Sequence, residues 1–221
     1  QVGQMNSNQE NIYSISGLGA DHRAFQNLQL PGYQLIPIIW QPISAKETLE
    51  SYTKKLSHQI PEKNPVLMGL SFGGIIAVEM AKQMQTKKVI IISSIKNDNE
   101  LPFYFKFLGM IGFHHLIPAY FLKNTNPITN WLFSACSDTE KKMLQDIFLE
   151  NDITFLRWCL GALASWKNKK RIPYMIHIHG SADRLFPLAF ISEKQIIKNG
   201  GHLMILSKCA EISKRILDIL K

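Results

Sequence analysis

Three side chains far apart in the sequence are of the types that acyl transfer requires: the hydroxyl of Ser71, the carboxylate of Asp183 and the imidazole of His202. A serine hydroxyl is a weak nucleophile until a base removes its proton. The base, in turn, works best when a carboxylate fixes its tautomer and stabilises the imidazolium. Ser71 lies in Gly69-Leu70-Ser71-Phe72-Gly73, followed by Gly74. The short apolar run from Pro65 to Met68 reads as a buried strand, and the longer run from Ile75 to Ala81 as a buried helix. Gly-x-Ser-x-Gly between strand and helix is a nucleophile elbow, a turn so sharp that residues two before and two after the serine must be nearly free of side chain. Such a turn lifts the hydroxyl above the sheet and aims the free amides of the helix N-terminus at the reacting centre.

The other two groups lie on late segments. His179-Gly180-Ser181-Ala182-Asp183-Arg184-Leu185-Phe186-Pro187 follows a strand over Tyr174–His179, which places Asp183 on a loop at that strand's carboxyl end. Asn199-Gly200-Gly201-His202 follows a strand at about Glu193–Lys198, and its glycines free the loop to carry His202 over the site. The chain order Ser71, Asp183, His202 is one of the known orders of this relay.

The elements that must hold these groups alternate. Strands are expected over Asn11–Ser16, Tyr33–Trp40, the segment before Ser71, and Val89–Ser94. A capping box at Ser44-x-x-Glu47 is expected to open a helix with Leu49, Tyr52, Leu56 and Ile60 on one face. The helix after Ser71 is expected to run to about Lys87, and one helix carrying Ile205, Cys209, Ile212, Ile216 and Ile219 closes the chain. This alternation predicts an α/β fold: a mostly parallel, doubly wound sheet with its site at the carboxyl ends of the strands. From 97 to 171 strand-like runs vanish and aromatics accumulate, with a capping box at Ser137-x-x-Glu140. That segment reads as a helical cap inserted into a core made of 1–96 and 172–221.

Bulk properties narrow the function. The net charge of +8 divides as +3 over 1–97, +2 over 98–172 and +3 over 173–221, so no block marks a polyanion-binding face. The Lys167/Lys169/Lys170/Arg171 run reads as a solvated loop, and no nucleic-acid partner is expected. Cys136, Cys159 and Cys209 sit among apolar neighbours without Cys-x-x-Cys spacing and read as packing residues. Leu101–Leu122 is rich in Phe, Leu and Ile but is interrupted by Pro102, Lys106, His114-His115 and Pro118, so stable membrane insertion is not expected. Met5 reads as the natural start, with residues 1–4 foreign to the chain, and the expected location is the cytoplasm. No metal-ligand spacing, dinucleotide fingerprint or phosphate loop is present, so neither metal nor cofactor is expected.

Together, Gly69–Gly74, the His-Gly-x-x-Asp-x-x-x-Pro segment His179–Pro187 and Gly201-His202 resemble the α/β-hydrolase fold family over essentially the whole chain. The resemblance implies Ser71 as nucleophile, Asp183 as acid and His202 as base. It also implies an oxyanion hole from the backbone N–H groups of Phe72 and Leu18. Relatives commonly carry His-Gly where this chain has Ser16-Gly17, and often begin with an extra antiparallel hairpin that residues 1–10 hardly supply. Asp98, after the fourth strand, occupies a position from which some relatives recruit the acid. Asp21 reads as a helix cap, His177 and His179 as hydrogen-bonded structural residues, and His114 and His115 as surface or pocket-lining groups. The implied reaction is hydrolysis of a small, largely apolar ester through an acyl-enzyme. A thioesterase, carbon–carbon hydrolase, lyase or perhydrolase would use the same parts, and a ligand sensor with little turnover is the alternative from another class.

Overall fold

The computed structural model describes residues 9–18 and 20–221. Six strands pair in the order β2-β1-β3-β4-β5-β6, every pairing parallel: β1 (Glu10–Ile15), β2 (Tyr33–Pro37), β3 (Val66–Leu70), β4 (Lys88–Ile92), β5 (Met175–Gly180) and β6 (Gln195–Ile197). Helices α1 (Leu49–Ser57) and α2 (Phe72–Gln83) alternate with the early strands. Between β4 and β5 come α3 (Phe103–Met110), α4 (Phe113–Leu116), α5 (Ala119–Lys123), α6 (Pro127–Leu132), α7 (Asp138–Glu150) and α8 (Ile153–Ser165). Two more, α9 (Met204–Ser207) and α10 (Cys209–Leu220), close the chain.

Alternate residues of a strand face opposite sides of the sheet, and both sides here are covered. On one, Tyr13, Ile15, Leu67, Val89 and Ile91 pack with α1, α2 and Phe155, Cys159 and Leu163 of α8. On the other, Ile12, Val66, Met68, Ile90 and Ile178 pack with Phe25 of a short 3-10 helix (His22–Phe25) and with Ile212, Ile216 and Ile219 of α10. β3 is buried along its whole length, which is why its sequence shows no polar alternation.

The topology also sets where a site can form. β2 lies on one side of β1 and β3 on the other, so the chain leaves the carboxyl ends of β1 and β3 in opposite directions. A crevice opens at such a switch point. Ile15, ending β1, pairs with Gly69 near the end of β3, so the loops starting at Ser16 and Ser71 rise side by side.

The helices between β4 and β5 start where the sequence marks them. Pro102 and Pro118 precede α3 and α5, Pro127 opens α6, and proline's preset φ and missing N–H suit these first-turn positions. The Ser137/Glu140 capping box forms as expected, with Glu140 N–H donating to Ser137 Oγ at 3.2 Å and Ser137 N–H to Glu140 Oε2 at 3.0 Å. Where this segment ends, Trp166 Nε1–H donates at 2.7 Å to buried Glu79 of α2, whose carboxylate also takes Lys82 at 2.7 Å.

Four local expectations are corrected. Ser44 N–H donates to Glu47 Oε2 at 3.0 Å, but this pair forms a turn ahead of the helix. α1 starts at Leu49 behind Thr48, whose hydroxyl accepts from Ser51 N–H at 3.1 Å, while the Glu47 carboxylate is drawn to Lys55 Nζ and Ser51 Oγ, both at 2.8 Å. β2 stops at Pro37, short of Trp40. α2 stops at Gln83, because Met84 is extended (φ −140°) and the chain must turn back for Lys88 to pair with Val66. The closing helix is broken at Lys208 (φ −121°, ψ 22°) into α9 and α10, which still bury Ile205, Ile212, Ile216 and Ile219. The readings placed on residues 1–8 lie outside the described residues.

Candidate active site

Ser71 joins β3 to α2 with φ 52° and ψ −121°, a backbone conformation that side-chain-bearing residues rarely adopt. Its surroundings explain how this is enforced. A methyl group on Gly69 would press on the backbone of Gly73 and Gly74, one on Gly73 would overlap the carbonyls of Ile15 and Ser16, and one on Gly74 would strike Ser94. Ser71 N–H donates to Ile92 O at 2.9 Å, and Ser94 Oγ–H donates to Ser71 O at 2.7 Å. The Ser71 side chain does not cap α2; of the first amides of that helix, Gly74 N–H donates to Ser71 O at 2.9 Å.

The hydroxyl instead meets His202. Ser71 Oγ lies 2.8 Å from His202 Nε2, and His202 Nδ1 lies 2.9 Å from Asp183 Oδ2. A carboxylate only accepts, so Nδ1 carries the proton and Nε2 is free to accept from the serine. The second oxygen of Asp183 accepts the N–H groups of Leu185 and Phe186, each at 2.9 Å, and both Asp183 and His202 are buried. The loops bearing these two residues are stitched together: Ser181 N–H donates to Ile197 O at 3.0 Å, Ala182 N–H to Gly200 O at 2.8 Å, and Asn199 N–H to Ser181 Oγ at 2.8 Å. A methyl on Gly180 would collide with the backbone of Gly200, one on Gly200 would lie 2.7 Å from Met204 Sδ and one on Gly201 2.7 Å from Ser134 Cβ, which accounts for the glycines in both motifs.

Leu18 stands on the loop after β1, next to Gly17, where an added methyl would reach Ser71 Cβ at 3.4 Å. Trp40 braces this loop, its indole N–H lying 3.0 Å from both Ser16 Oγ and Ala20 O, while its ring stacks on Phe72 at 6.1 Å. The other candidates lie elsewhere. Asp98 accepts from Asn168 N–H at 3.2 Å, and Asp21 caps the 3-10 helix by accepting from Arg23 N–H at 2.9 Å. The His114 and His115 rings lie 4.0 Å apart, tilted by 42°, beside a groove between residues 43–50 and α8. The three cysteines are unpaired, Cys159 being buried against α1 and α2 and Cys136 exposed. Among the described residues no group of three or more His, Cys, Asp or Glu could hold a metal ion, and no helix is long and apolar enough to cross a membrane.

Two neighbours of the relay, Phe133 and Ser134, had no local signal in the sequence. Phe186 and His179, by contrast, belong to the His179–Pro187 motif, and His179 is the hydrogen-bonded structural residue expected. Phe133, just past α6, and Phe186 both meet the His202 ring edge-on at 5.5 Å. Ser134 donates to Ala182 O at 3.0 Å and accepts from Arg184 N–H at 3.3 Å, bracketing Asp183 from the helical segment. His179 Nε2–H donates to Phe186 O at 2.8 Å and lies 3.6 Å from Asp183 Oδ2. Its Nδ1 therefore accepts from His177 Nε2–H at 3.1 Å. Burial lowers the pKa of His179 and lowers that of His177 well below its ordinary value, so both are neutral behind the carboxylate.

The space beside Ser71 is small and apolar. A cavity of about 30 Å³ is bounded by Leu18 and Leu70 of the core, by Phe133, and by Met143, Ile147 and Phe148 of α7.

No family model matches the sequence, and no curated protein matches it. Solved structures do. A lipase-esterase related protein from Clostridium acetobutylicum is 17% identical, with a TM-score of 0.70 over 95% of this chain and 94% of that one. An enol-lactonase from Burkholderia xenovorans is 16% identical, with a TM-score of 0.67 over 99% and 94%. A bromoperoxidase from Bacillus anthracis is 18% identical, with a TM-score of 0.66 over 96% and 92%. The parallel six-stranded sheet, its helices on both faces and these likenesses across nearly the full length give one conclusion: the chain has the α/β-hydrolase fold.

Proposed function

We propose that the protein is a serine hydrolase that cleaves a carboxylic ester, or a related acyl bond, of a small and largely apolar substrate. The observation that carries this reading is the unbroken hydrogen-bonded line from Ser71 Oγ through His202 to Asp183. In this scheme Ser71 Oγ attacks the carbonyl carbon while His202 Nε2 takes the hydroxyl proton. The amides of Phe72 and Leu18 hold the oxyanion, and such donors contribute about 3 kcal/mol each in other enzymes. Collapse breaks the bond to the leaving oxygen, which receives the proton from His202. Water, deprotonated by the same nitrogen, then releases the acid and restores the serine. Every step uses side chains and backbone of this chain.

The segment 97–171 acts in this reading as a cap over the strand ends. The cavity of about 30 Å³ holds no more than a water or two, so an ester enters only when α7 or the Phe133 region moves aside. The apolar lining favours medium-chain or aromatic acyl groups. Three unpaired cysteines and evenly spread positive charge fit a cytoplasmic enzyme of small molecules, with no nucleic-acid partner. Rapid-mixing kinetics with p-nitrophenyl esters tests the reading. It expects a burst of one nitrophenolate per chain, absent in Ser71→Ala, and faster turnover on butyrate or hexanoate than on acetate. A burst that survives in Ser71→Ala, or no turnover of any ester, thioester or lactone by the folded protein, defeats it.

A further inference from the structure

The outer surface of the helical segment is far more apolar than the rest of the molecule. Of the fifteen large hydrophobic side chains exposed among the described residues, ten fall between Phe103 and Trp131. Met110 is 83% exposed, Phe103 73%, Leu116 and Tyr120 70%, and Trp131 59%. Scattered single exposures are normal, but concentration of this kind marks an interaction surface. The same helices are held to the molecule by their other sides: α3 and α4 pack on α8, and α5 packs on α7 and α8.

Charge on this stretch selects the partner. Between Glu100 and Asp138 the sequence holds no acidic residue, while Lys106 and Lys123 supply positive charge, Lys123 also donating to the carbonyls of Leu149 and Asn151. Arg184 reaches the edge of the patch, its guanidinium 5.3 Å over the Trp131 ring. A second copy docked through the same face by a two-fold axis would bring both copies' lysines into one interface with no carboxylate of the stretch to offset them. An anionic bilayer surface complements both features, taking rings and aliphatic chains at the headgroup boundary and drawing the basic groups to its phosphates.

We propose that the α3–α6 face docks the protein reversibly onto anionic lipid membranes, lying on the surface without spanning it. The proposal is independent of the hydrolase reading, since it needs no turnover. Cosedimentation of the full chain, carrying Ser71→Ala so that lipid cleavage cannot intrude, tests it. The vesicles are phosphatidylcholine alone, or phosphatidylcholine with about one third phosphatidylglycerol. The expected result is binding to the anionic vesicles that is at least tenfold stronger than to the neutral ones. It should weaken at about 1 M NaCl, where the Debye length falls to about 3 Å. Phe107→Ser/Met110→Ser/Leu116→Ser, all exposed and so tolerated by the fold, should lower it at least tenfold, and Lys106→Glu should lower it independently. No sedimentation with anionic vesicles, or unchanged sedimentation of both variants, overturns the proposal. So does a concentration-dependent dimer in analytical ultracentrifugation that the triple variant dissociates, since a second copy would then own this face.

Discussion

Replacing Gly69 with alanine adds one methyl group where the elbow leaves no room, and the consequence can be worked from distances. The new Cβ would lie 2.6 Å from the carbonyl carbon of Gly73 and 2.6 Å from Gly74 Cα. Ordinary contact begins near 3.4 Å, so these atoms must separate by about 0.8 Å, and the Gly73 carbonyl oxygen, which lies nearer still, by more. They are backbone, in the first turn of α2, and no rotamer change relieves them. The adjustment must move α2 against β3, and that movement carries Ser71 and Phe72 with it. Overpacking of this kind costs about 1–3 kcal/mol, or roughly 2–12 °C of melting temperature for a chain of this length. A displacement near 1 Å at the reacting atoms costs on the order of 100-fold in rate. Gly69→Ala should therefore melt several degrees lower and, while still folded, hydrolyse p-nitrophenyl esters about 100-fold more slowly. Gly17→Ala is the control, because its methyl meets Ser71 Cβ at 3.4 Å and Leu70 O at 3.6 Å, both ordinary contacts. It should melt within about 2 °C of wild type. A Gly69→Ala protein with unchanged melting temperature and activity within twofold would refute the steric account of the elbow.

Asp183→Asn keeps an acceptor for the amides of Leu185 and Phe186 but turns an NH2 toward His202 Nδ1, forcing the proton onto Nε2, where it faces Ser71. The expected loss in kcat is about 10⁴-fold with the fold intact, and a loss under tenfold contradicts the relay. Stability should depend on pH through His177 and His179. Burial lowers both pKa values, so the folded chain binds fewer protons than the unfolded one, whose histidines titrate near about 6.5. Stability is full above about pH 6.5 and falls as pH drops below it, by up to about 1.4 kcal/mol per unit per histidine. Chemical denaturation across that range should show a shallower slope in His177→Gln, and an unchanged slope counts against the buried neutral pair. Met143→Ala opens the α7 wall of the cavity and should shift the best acyl chain of an ester series to a longer member, whereas a shift to acetate would place the acyl group elsewhere.

The parts of this molecule that its sequence reveals are those where physics demands a particular residue. The strained serine, the glycines packed against backbone and the acceptor–donor order of the relay leave little choice of side chain, so Ser71, Asp183 and His202 could be named and the geometry brings them together. β3 and β4 were legible for a similar reason, since strands buried on both faces are apolar almost throughout. Boundaries were less so. Ser44/Glu47 and Thr48/Ser51 both satisfy a cap pattern, and in the fold the first pair closes a turn while the second starts α1. The break at Lys208 leaves the apolar spacing of the closing segment intact and so left no trace in it. The placement of Phe133 and Ser134 around the relay arises from segments that meet across long chain separations, where no local pattern records the contact.

The central claim is that the hydroxyl of residue 71 is activated by His202, and covalent capture tests it most directly. Incubation with a fluorophosphonate followed by intact-mass and peptide analysis should show one adduct per chain, on Ser71, that disappears in His202→Ala while that variant keeps its native melting transition. A folded wild-type protein that stays unlabelled, or labels equally well without His202, would contradict the account.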